Sequence, residues 1–142
     1  MSVDESVSGP TPTPGLGPAH AMFAADEASK ALGIELLDVG EGTAELRMFV
    51  TATMVNGHGI AHGGYVFLLA DSAFACACNS YGPVTVAAGA EITFVASARE
   101  GDELIAVAQV RARYGRSGIY DVRVTRGDDL IAEFRGRSRI LR

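Results

Sequence analysis

The sequence predicts an α+β protein in which one long helix is buried against a curved antiparallel sheet. The chain has 142 residues, of which 48% are hydrophobic, enough for a single domain with a real core. The segment from His62 to Tyr81 has helical length and carries apolar side chains almost all round, which indicates burial. The flanking segments alternate like strands, and a sheet wrapped around the helix is the simplest way to bury it.

Turn signals divide the first part of the chain. Residues 1–18 hold four of the five prolines and few apolar side chains, so we expect a flexible tail there and one folded domain over 19–142. Helical spacing predicts a short first helix that ends before Gly33. The predicted helix covers 19–32, and the two strands that follow cover 34–39 and 43–51.

The second part of the chain begins with a glycine-rich loop at 54–61. The long helix is predicted over 62–81 and ends at Gly82–Pro83, because a residue before proline disfavours helical geometry. Four later segments alternate in strand fashion, and we expect them to form a four-stranded meander in chain order. These segments are 84–96, 104–113, 118–125 and 130–140.

Composition and charge exclude several classes of protein. The net charge is −5, whereas a general nucleic-acid binder usually has a strongly basic domain. No apolar stretch approaches the ~20 residues that span a bilayer, and the first residues lack the pattern of a secretory signal. Cys76 and Cys78 are a poor basis for a disulfide framework or a zinc site. We therefore expect a cytoplasmic protein without nucleic-acid or membrane partners.

Asp71 is the one charged residue within the long helix. Burying an unpaired carboxylate is costly, so such groups persist where they are partnered or functional. Apolar neighbours such as Phe67 and Phe74, four and three residues away, would raise its basicity by desolvation. Two interpretations remain open: a catalytic carboxylate, or a helix-edge residue that is bonded to Ser72 or exposed near an interface.

Gly63 and Gly64 open the same helix. Free N–H groups point outward at a helix N-terminus, and glycine lets a ligand approach them closely. A carbonyl oxygen held there would be polarised, although two glycines at a helix start can also serve only as a turn. Gly63 and Asp71 are eight residues apart, which is ~12 Å of helical rise. If both act on one carbonyl, the site is therefore shared between two copies in a two-fold dimer.

The histidines and serines predict no metal site or serine triad. His58 and His62 are four apart but lack the Glu and the helix of an HEXXH zinc motif. We expect His62 to orient the glycine turn or to line the pocket. Ser72 lacks the G-x-S-x-G pattern of a nucleophile elbow.

The last third of the chain is rich in arginine. Residues 99–142 carry ten arginines and seven acids, whereas residues 1–98 carry two basic residues and ten acids. Arginine is well suited to bind phosphate oxygens with two hydrogen bonds. Two interpretations are open: solvated strand faces, or a rim around Arg113 and Arg116 that binds an anionic ligand.

The segment 56–82, NGHGIAHGGYVFLLADSAFACACNSYG, resembles the signature of hotdog-fold thioesterases of the phenylacetic acid degradation (PaaI) type. Residues 19–37, together with GIYDVRV and EFRGRSR nearer the C-terminus, also resemble that family. The resemblance thus covers about residue 19 to the end. It implies the hotdog fold, in which a curved antiparallel sheet wraps around a helix.

This resemblance implies hydrolysis of acyl-CoA thioesters, notably phenylacetyl-CoA and its ring-hydroxylated relatives, by homotetramers built as dimers of dimers. Coenzyme A would enter as part of the substrate, with no separate cofactor. By resemblance, Asp71 is the catalytic nucleophile or general base, and the Gly63 N–H donates to the thioester carbonyl. His62 lies beside that donor, and Asn56 supplies an amide near the thioester or the lytic water.

By the same resemblance, the turn from Tyr114 to Ser117 approaches the coenzyme A phosphates. Together with Gly64 at the glycine start of the long helix, the predicted substrate- and coenzyme-binding residues are Arg113, Gly115, Arg116 and Ser117. Some family members carry an Asn in the first helix, where this chain has Ala25.

Two other functions remain open. One is a hotdog acyl-thioester hydratase or dehydratase, which is disfavoured because no histidine follows Asp71 in the chain. The other is a non-catalytic acyl-CoA-binding module.

Overall fold

A computed structural model describes residues 17–142 and has the α+β architecture that the sequence predicts. The expected tail at 1–18 lies outside the described residues except for Gly17 and Pro18, which belong to the first helix. The helices are α1 (Gly17–Ala24), α2 (Glu27–Ala31) and α3 (Gly63–Cys78), with a short 3₁₀ turn at Ala52–Met54. The strands are β1 (Glu35–Gly40), β2 (Thr43–Phe49), β3 (Thr85–Phe94), β4 (Glu103–Tyr114), β5 (Ser117–Arg126) and β6 (Asp129–Ile140).

The six strands form one antiparallel sheet in the order β1-β2-β4-β5-β6-β3. The predicted four-stranded meander is wrong in one respect, because only β4, β5 and β6 follow one another. β3 pairs with β6 instead, with Thr85 opposite Ile140. The reason is that α3 crosses the face of the sheet, so the chain leaves the sheet at β2 and returns at the opposite edge. β3 is therefore an edge strand.

The single helix predicted over 19–32 is two short helices. α1 ends at Ala24, and Asp26 caps α2 by accepting the backbone N–H of Ser29 at 2.9 Å. A capping aspartate has extended backbone geometry, here φ −81° and ψ 92°, which interrupts the helix. Ala25 consequently lies exposed in the junction and not within a helix.

The core lies between α3 and the concave face of the sheet. The Phe74 ring is 1% exposed and packs against Tyr120 and Phe134, with ring centroids 5.5 and 5.8 Å apart. Gly136 admits that ring, because a Cβ there would lie 2.7 Å from it. Replacing such a buried aromatic with alanine costs about 3–5 kcal/mol, so this contact anchors the helix.

The apolar sequence of α3 suggests that the helix is buried on all sides, but one of its faces is partly exposed. Gly64, Leu68, Asp71 and Ala75 form a stripe of partly or fully exposed residues along one face. Their spacing of three and four residues is that of one helix face. No helix among residues 17–142 is both long and apolar enough to cross a membrane.

Candidate active site

The N-terminus of α3 leaves one backbone donor for a ligand. The His62 ring accepts the Gly64 N–H on Nδ1 at 2.9 Å, and the His62 carbonyl accepts the Tyr65 N–H at 3.0 Å. Within residues 17–142, no acceptor takes the N–H of Gly63. His62 therefore caps the helix and fixes the glycine turn, while the Gly63 donor stays free.

A cavity of about 330 Å³ opens beside this donor. Its walls are mainly apolar and come from the loop before α3, the end of β3 and β6. They comprise Asn56, Ile60, Ala61, Gly63, Val66, Phe94, Val95, Ala96, Ser97, Ala98 and Ile131. The Phe94 ring lies over Gly63, where a Cβ would come within 2.8 Å of Cζ. The arrangement can bind an apolar group while its attached carbonyl meets a backbone N–H.

Asn56 combines a structural contact with a free donor. Its Oδ1 accepts the backbone N–H groups of His58 at 2.9 Å and Ile60 at 3.3 Å, which closes the loop in an Asx turn. Within the described part of the chain, the side-chain NH₂ of Asn56 has no partner, and the residue lines the cavity. This amide is therefore the second donor available beside Gly63.

Asp71 lies in the middle of α3 on the partly exposed stripe. Burial raises the pKa of its carboxyl above the ordinary value, and the negative charge of Asp26 raises it further. Asp71 has no hydrogen-bond or ion-pair partner within residues 17–142. The Ser72 hydroxyl bonds to Ser29 Oγ at 2.7 Å, so the interpretation in which Asp71 is bonded to Ser72 is wrong. Such a carboxylate is suited to act as a base or nucleophile.

Asp71 does not line the cavity beside Gly63. The two residues lie on one straight helix, separated by ~12 Å of rise. Within one chain, the structure therefore brings Gly63 and Asn56 together with His62 beside them, and keeps Asp71 apart.

Of the predicted substrate- and coenzyme-binding residues, Gly64 lies at the start of α3, where His62 takes its N–H. The other four, Arg113, Gly115, Arg116 and Ser117, lie at the far end of the helix. The Arg113 guanidinium stacks over the Tyr81 ring, 3.5 Å from its centroid, and Arg116 and Ser117 lie beside them. Gly115 makes the turn with φ +58°, a conformation that favours glycine. Cys78, at the end of α3, is fifteen residues or ~22 Å of rise from Gly63. This group is therefore remote from the cavity of its own chain.

Arginines on the outer face of the sheet differ from this group. They form exposed ion pairs, as the interpretation of solvated strand faces predicts: Arg111–Asp121, Arg123–Glu133, Arg135–Asp121 and Arg137–Glu91. Within residues 17–142, neither Arg113 nor Arg116 has such a carboxylate partner. Those two side chains are available to an anionic ligand.

Two contributors to the cavity were missed by the sequence analysis. Phe94 closes over Gly63. It was missed because an aromatic residue at the end of a strand carries no sequence signal for a binding site. Arg126 holds the far wall by donating to the Ser97 carbonyl and to Asp102, both at 3.0 Å. Only strand pairing brings this side chain to that loop.

Comparison with known proteins identifies the family. The model of the thioesterase superfamily matches residues 58–133. The chain is also 47% identical over 121 residues to acyl-coenzyme A thioesterase PaaI of Escherichia coli, covering 84% of this chain and 86% of that protein. The chain belongs to the thioesterase superfamily.

Two solved structures resemble this thioesterase closely. The PaaI protein from the phenylacetic acid degradation operon of E. coli superposes with a TM-score of 0.87 at 43% identity, over 90% of this chain and 94% of that one. A variant of the phenylacetic acid degradation protein PaaI from Thermus thermophilus gives 0.79 at 34% identity, over 82% and 100%. The hotdog fold implied by the sequence is confirmed, and the chain is a thioester hydrolase of the PaaI type.

Proposed function

We propose that this thioesterase hydrolyses phenylacetyl-CoA or its ring-hydroxylated relatives. The observation that carries the proposal is the free Gly63 N–H beside an apolar cavity of about 330 Å³. The cavity would take the aromatic acyl group, and the N–H would meet its carbonyl. The relatives named PaaI support this substrate class, since one of them belongs to a phenylacetic acid degradation operon. We also propose that the enzyme acts in the cytoplasm.

In this proposal the Gly63 N–H stabilises the oxyanion that forms on the thioester carbonyl. Removing one such donor typically costs about 10²–10³-fold in kcat in acyl-transfer enzymes. The free NH₂ of Asn56 donates to the same oxygen or to the attacking water. His62 acts indirectly, because its ring holds Gly64 and thereby the direction of the Gly63 N–H.

Asp71 can take part in hydrolysis of the thioester in either of two ways. As a general base, it takes a proton from water while the water oxygen bonds to the carbonyl carbon. The C–S bond then breaks, and coenzyme A leaves as a thiolate that takes up a proton. As a nucleophile, its oxygen bonds to the carbonyl carbon and the C–S bond breaks, so that coenzyme A leaves as a thiolate that takes up a proton. The resulting anhydride is then hydrolysed by water, which frees the acid and restores Asp71. Both routes yield the carboxylic acid and the thiol without a bound cofactor.

We propose that Asp71 serves the Gly63 of a second copy of the chain. The ~12 Å between them in one helix is the first support. The second is the edge strand β3, where Val86 is 42% and Phe94 53% exposed, together with the exposed stripe on α3. Joining two β3 edges about a two-fold axis would set the two α3 helices side by side and antiparallel.

The antiparallel arrangement also gives Arg113 and Arg116 a role. With Gly63 opposite the partner's Asp71, the partner's α3 continues for seven residues to Cys78, about 10 Å in helical rise, and Tyr81 lies three residues beyond that end. The coenzyme's pantetheine arm would bridge that length and bring its phosphates to these arginines. We further propose that two such dimers associate, which predicts a particle of four 14.8 kDa chains in sedimentation.

The test is thiol release from a panel of acyl-CoA thioesters. We expect the highest kcat/KM with arylacetyl-CoA and lower values with straight-chain acyl groups. A preference for straight chains would overturn the substrate assignment, and no release from any thioester would overturn acyl-CoA hydrolysis. Asp71→Asn should lose at least about 10²-fold in kcat while still binding the thioester. Near wild-type turnover in that folded variant would overturn the role of Asp71.

A further inference from the structure

A buried pair of hydroxyl groups joins α2 to α3 next to Asp71. Ser29 Oγ and Ser72 Oγ lie 2.7 Å apart, and the two residues are 0% and 7% exposed. Ser29 also donates its N–H and its hydroxyl to the two carboxylate oxygens of Asp26, at 2.9 and 2.6 Å. The mechanism above does not use these three residues.

The chemistry of these groups fixes the direction of the hydrogen bonds. An ionised carboxylate only accepts, so the single hydroxyl proton of Ser29 is directed to Asp26. Ser29 Oγ can then only accept from Ser72, and Ser72 must donate. The chain of donors from Ser72 through Ser29 to Asp26 is thus complete and satisfied, which makes it rigid.

This chain determines how α3 presents Asp71. Adjacent helical residues are rotated by about 100°, so holding Ser72 against α2 sets the rotation of the helix and directs Asp71 to the exposed stripe. The same arrangement holds the negative charge of Asp26 where it raises the pKa of the Asp71 carboxyl.

Other titratable groups around α3 contribute no competing charge in the described part of the chain. His20 on α1, and Glu27 and Lys30 on α2, are exposed. Charged residues of the strands are exposed or half-buried in the described part of the chain, and Arg113 lies at the far end of α3 over Tyr81. Tyr120 on β5 and the thiols of Cys76 and Cys78 are neutral, because burial raises their pKa values, to about 12 for the two thiols.

We propose that Asp26 is a positioning residue for thioester hydrolysis, which through Ser29 and Ser72 fixes the turn of α3 that carries Asp71 and holds a second negative charge near it. The inference rests on the proposed role of Asp71.

Asp26→Asn tests the charge. Asparagine still caps α2 through its oxygen, and its NH₂ can donate to Ser29, which reverses the hydroxyl chain without breaking it. With one negative charge fewer, Asp71 ionises more readily, so the acid limb of the kcat/KM profile should move to lower pH. Glu27→Gln is the matched control, because that exposed acid pairs with Lys30 and with no other charged group in the described range 17–142, and it should leave the limb in place. An unmoved limb in Asp26→Asn overturns the inference. Should this variant not fold, Asp26→Ser keeps a strong cap and carries the same expectation.

Ser72→Ala tests the positioning. The charge at Asp26 remains, but the link is lost, so kcat should fall on the order of tenfold while KM stays near the wild-type value. Ser72→Thr retains a hydroxyl and should restore kcat. Wild-type kcat in Ser72→Ala, or no recovery in Ser72→Thr, contradicts the inference.

The outcome for Asp71 itself separates the two proposals. If Asp71→Asn retains kcat, the proposed function fails, and the positioning role fails with it. If Asp71→Asn loses turnover but Asp26→Asn leaves the acid limb of the kcat/KM profile at the same pH, only the inference about Asp26 fails.

Discussion

Replacing Gly63 with alanine isolates the close approach of a substrate to the start of α3. Alanine keeps the backbone N–H and suits a helix better than glycine, so the fold should be retained. Its methyl group would lie 2.8 Å from Phe94 Cζ, whereas ordinary contact begins at 3.4 Å, so the ring must retreat by about 0.6 Å. Phe94 is 53% exposed and can move outward.

The expected cost is kinetic. The methyl group stands at the carbonyl site and the ring no longer closes the cavity, so kcat/KM should fall by about 10- to 100-fold, as misplacements of this size do. The assay is thiol release, with thermal unfolding to verify the fold. Gly57→Ala is the matched control, since a Cβ there meets nothing within 4 Å, and it should behave as wild type.

Comparing Phe94→Ala with the double variant Gly63→Ala/Phe94→Ala separates the two effects. Both variants lack the ring that closes the cavity, and only the double variant carries the added methyl group, so the double variant should be slower than Phe94→Ala alone. Wild-type kcat/KM in folded Gly63→Ala would refute the reasoning, because the thioester carbonyl would then not approach this backbone.

Three further predictions concern Asp71, the arginines and the cavity wall. The pKa of Asp71 is raised in the folded protein, so its ionised form costs folding free energy once the pH exceeds the ordinary value of 3.8. Asp71→Asn should therefore melt at a higher temperature than wild type at pH 7, with the gain lost below that value; no gain at pH 7 contradicts the burial argument. Replacing Arg113 and Arg116 with alanine should raise KM for coenzyme A thioesters and leave N-acetylcysteamine thioesters unaffected, since these lack the phosphates; equal damage to both substrates would indicate structural roles. Arg126→Ala should raise KM and speed amide hydrogen exchange around Ser97, whose carbonyl it releases; unchanged exchange there would exclude its role in holding the wall.

The fold was predictable from the sequence because a helix that is apolar almost all round has few ways to be buried. The position of β3 in the sheet was not predictable, because alternation of apolar residues identifies a strand but not the strand with which it pairs. Nor was the break at Asp26, where a side-chain cap competes with a continuous helical pattern.

The candidate site also contains residues that the sequence predicts and residues that it does not. Gly63, Asn56 and Asp71 stand out as glycine or polar residues in distinctive sequence surroundings. Phe94 and Arg126 do not, because their positions depend on tertiary pairing, such as the bond from the Val95 N–H to the Ile131 carbonyl at 2.8 Å.

The shared site is the central claim, and complementation between two inactive variants tests it most directly. Gly63→Val fills the glycine turn and Asp71→Asn removes the carboxylate, so each homodimer should be inactive. After co-refolding with free exchange, half of the dimers are mixed, and each has one intact site with Gly63 from one subunit and Asp71 from the other. About a quarter of wild-type activity should therefore return. Verified heterodimers that remain inactive would contradict a site built from two subunits.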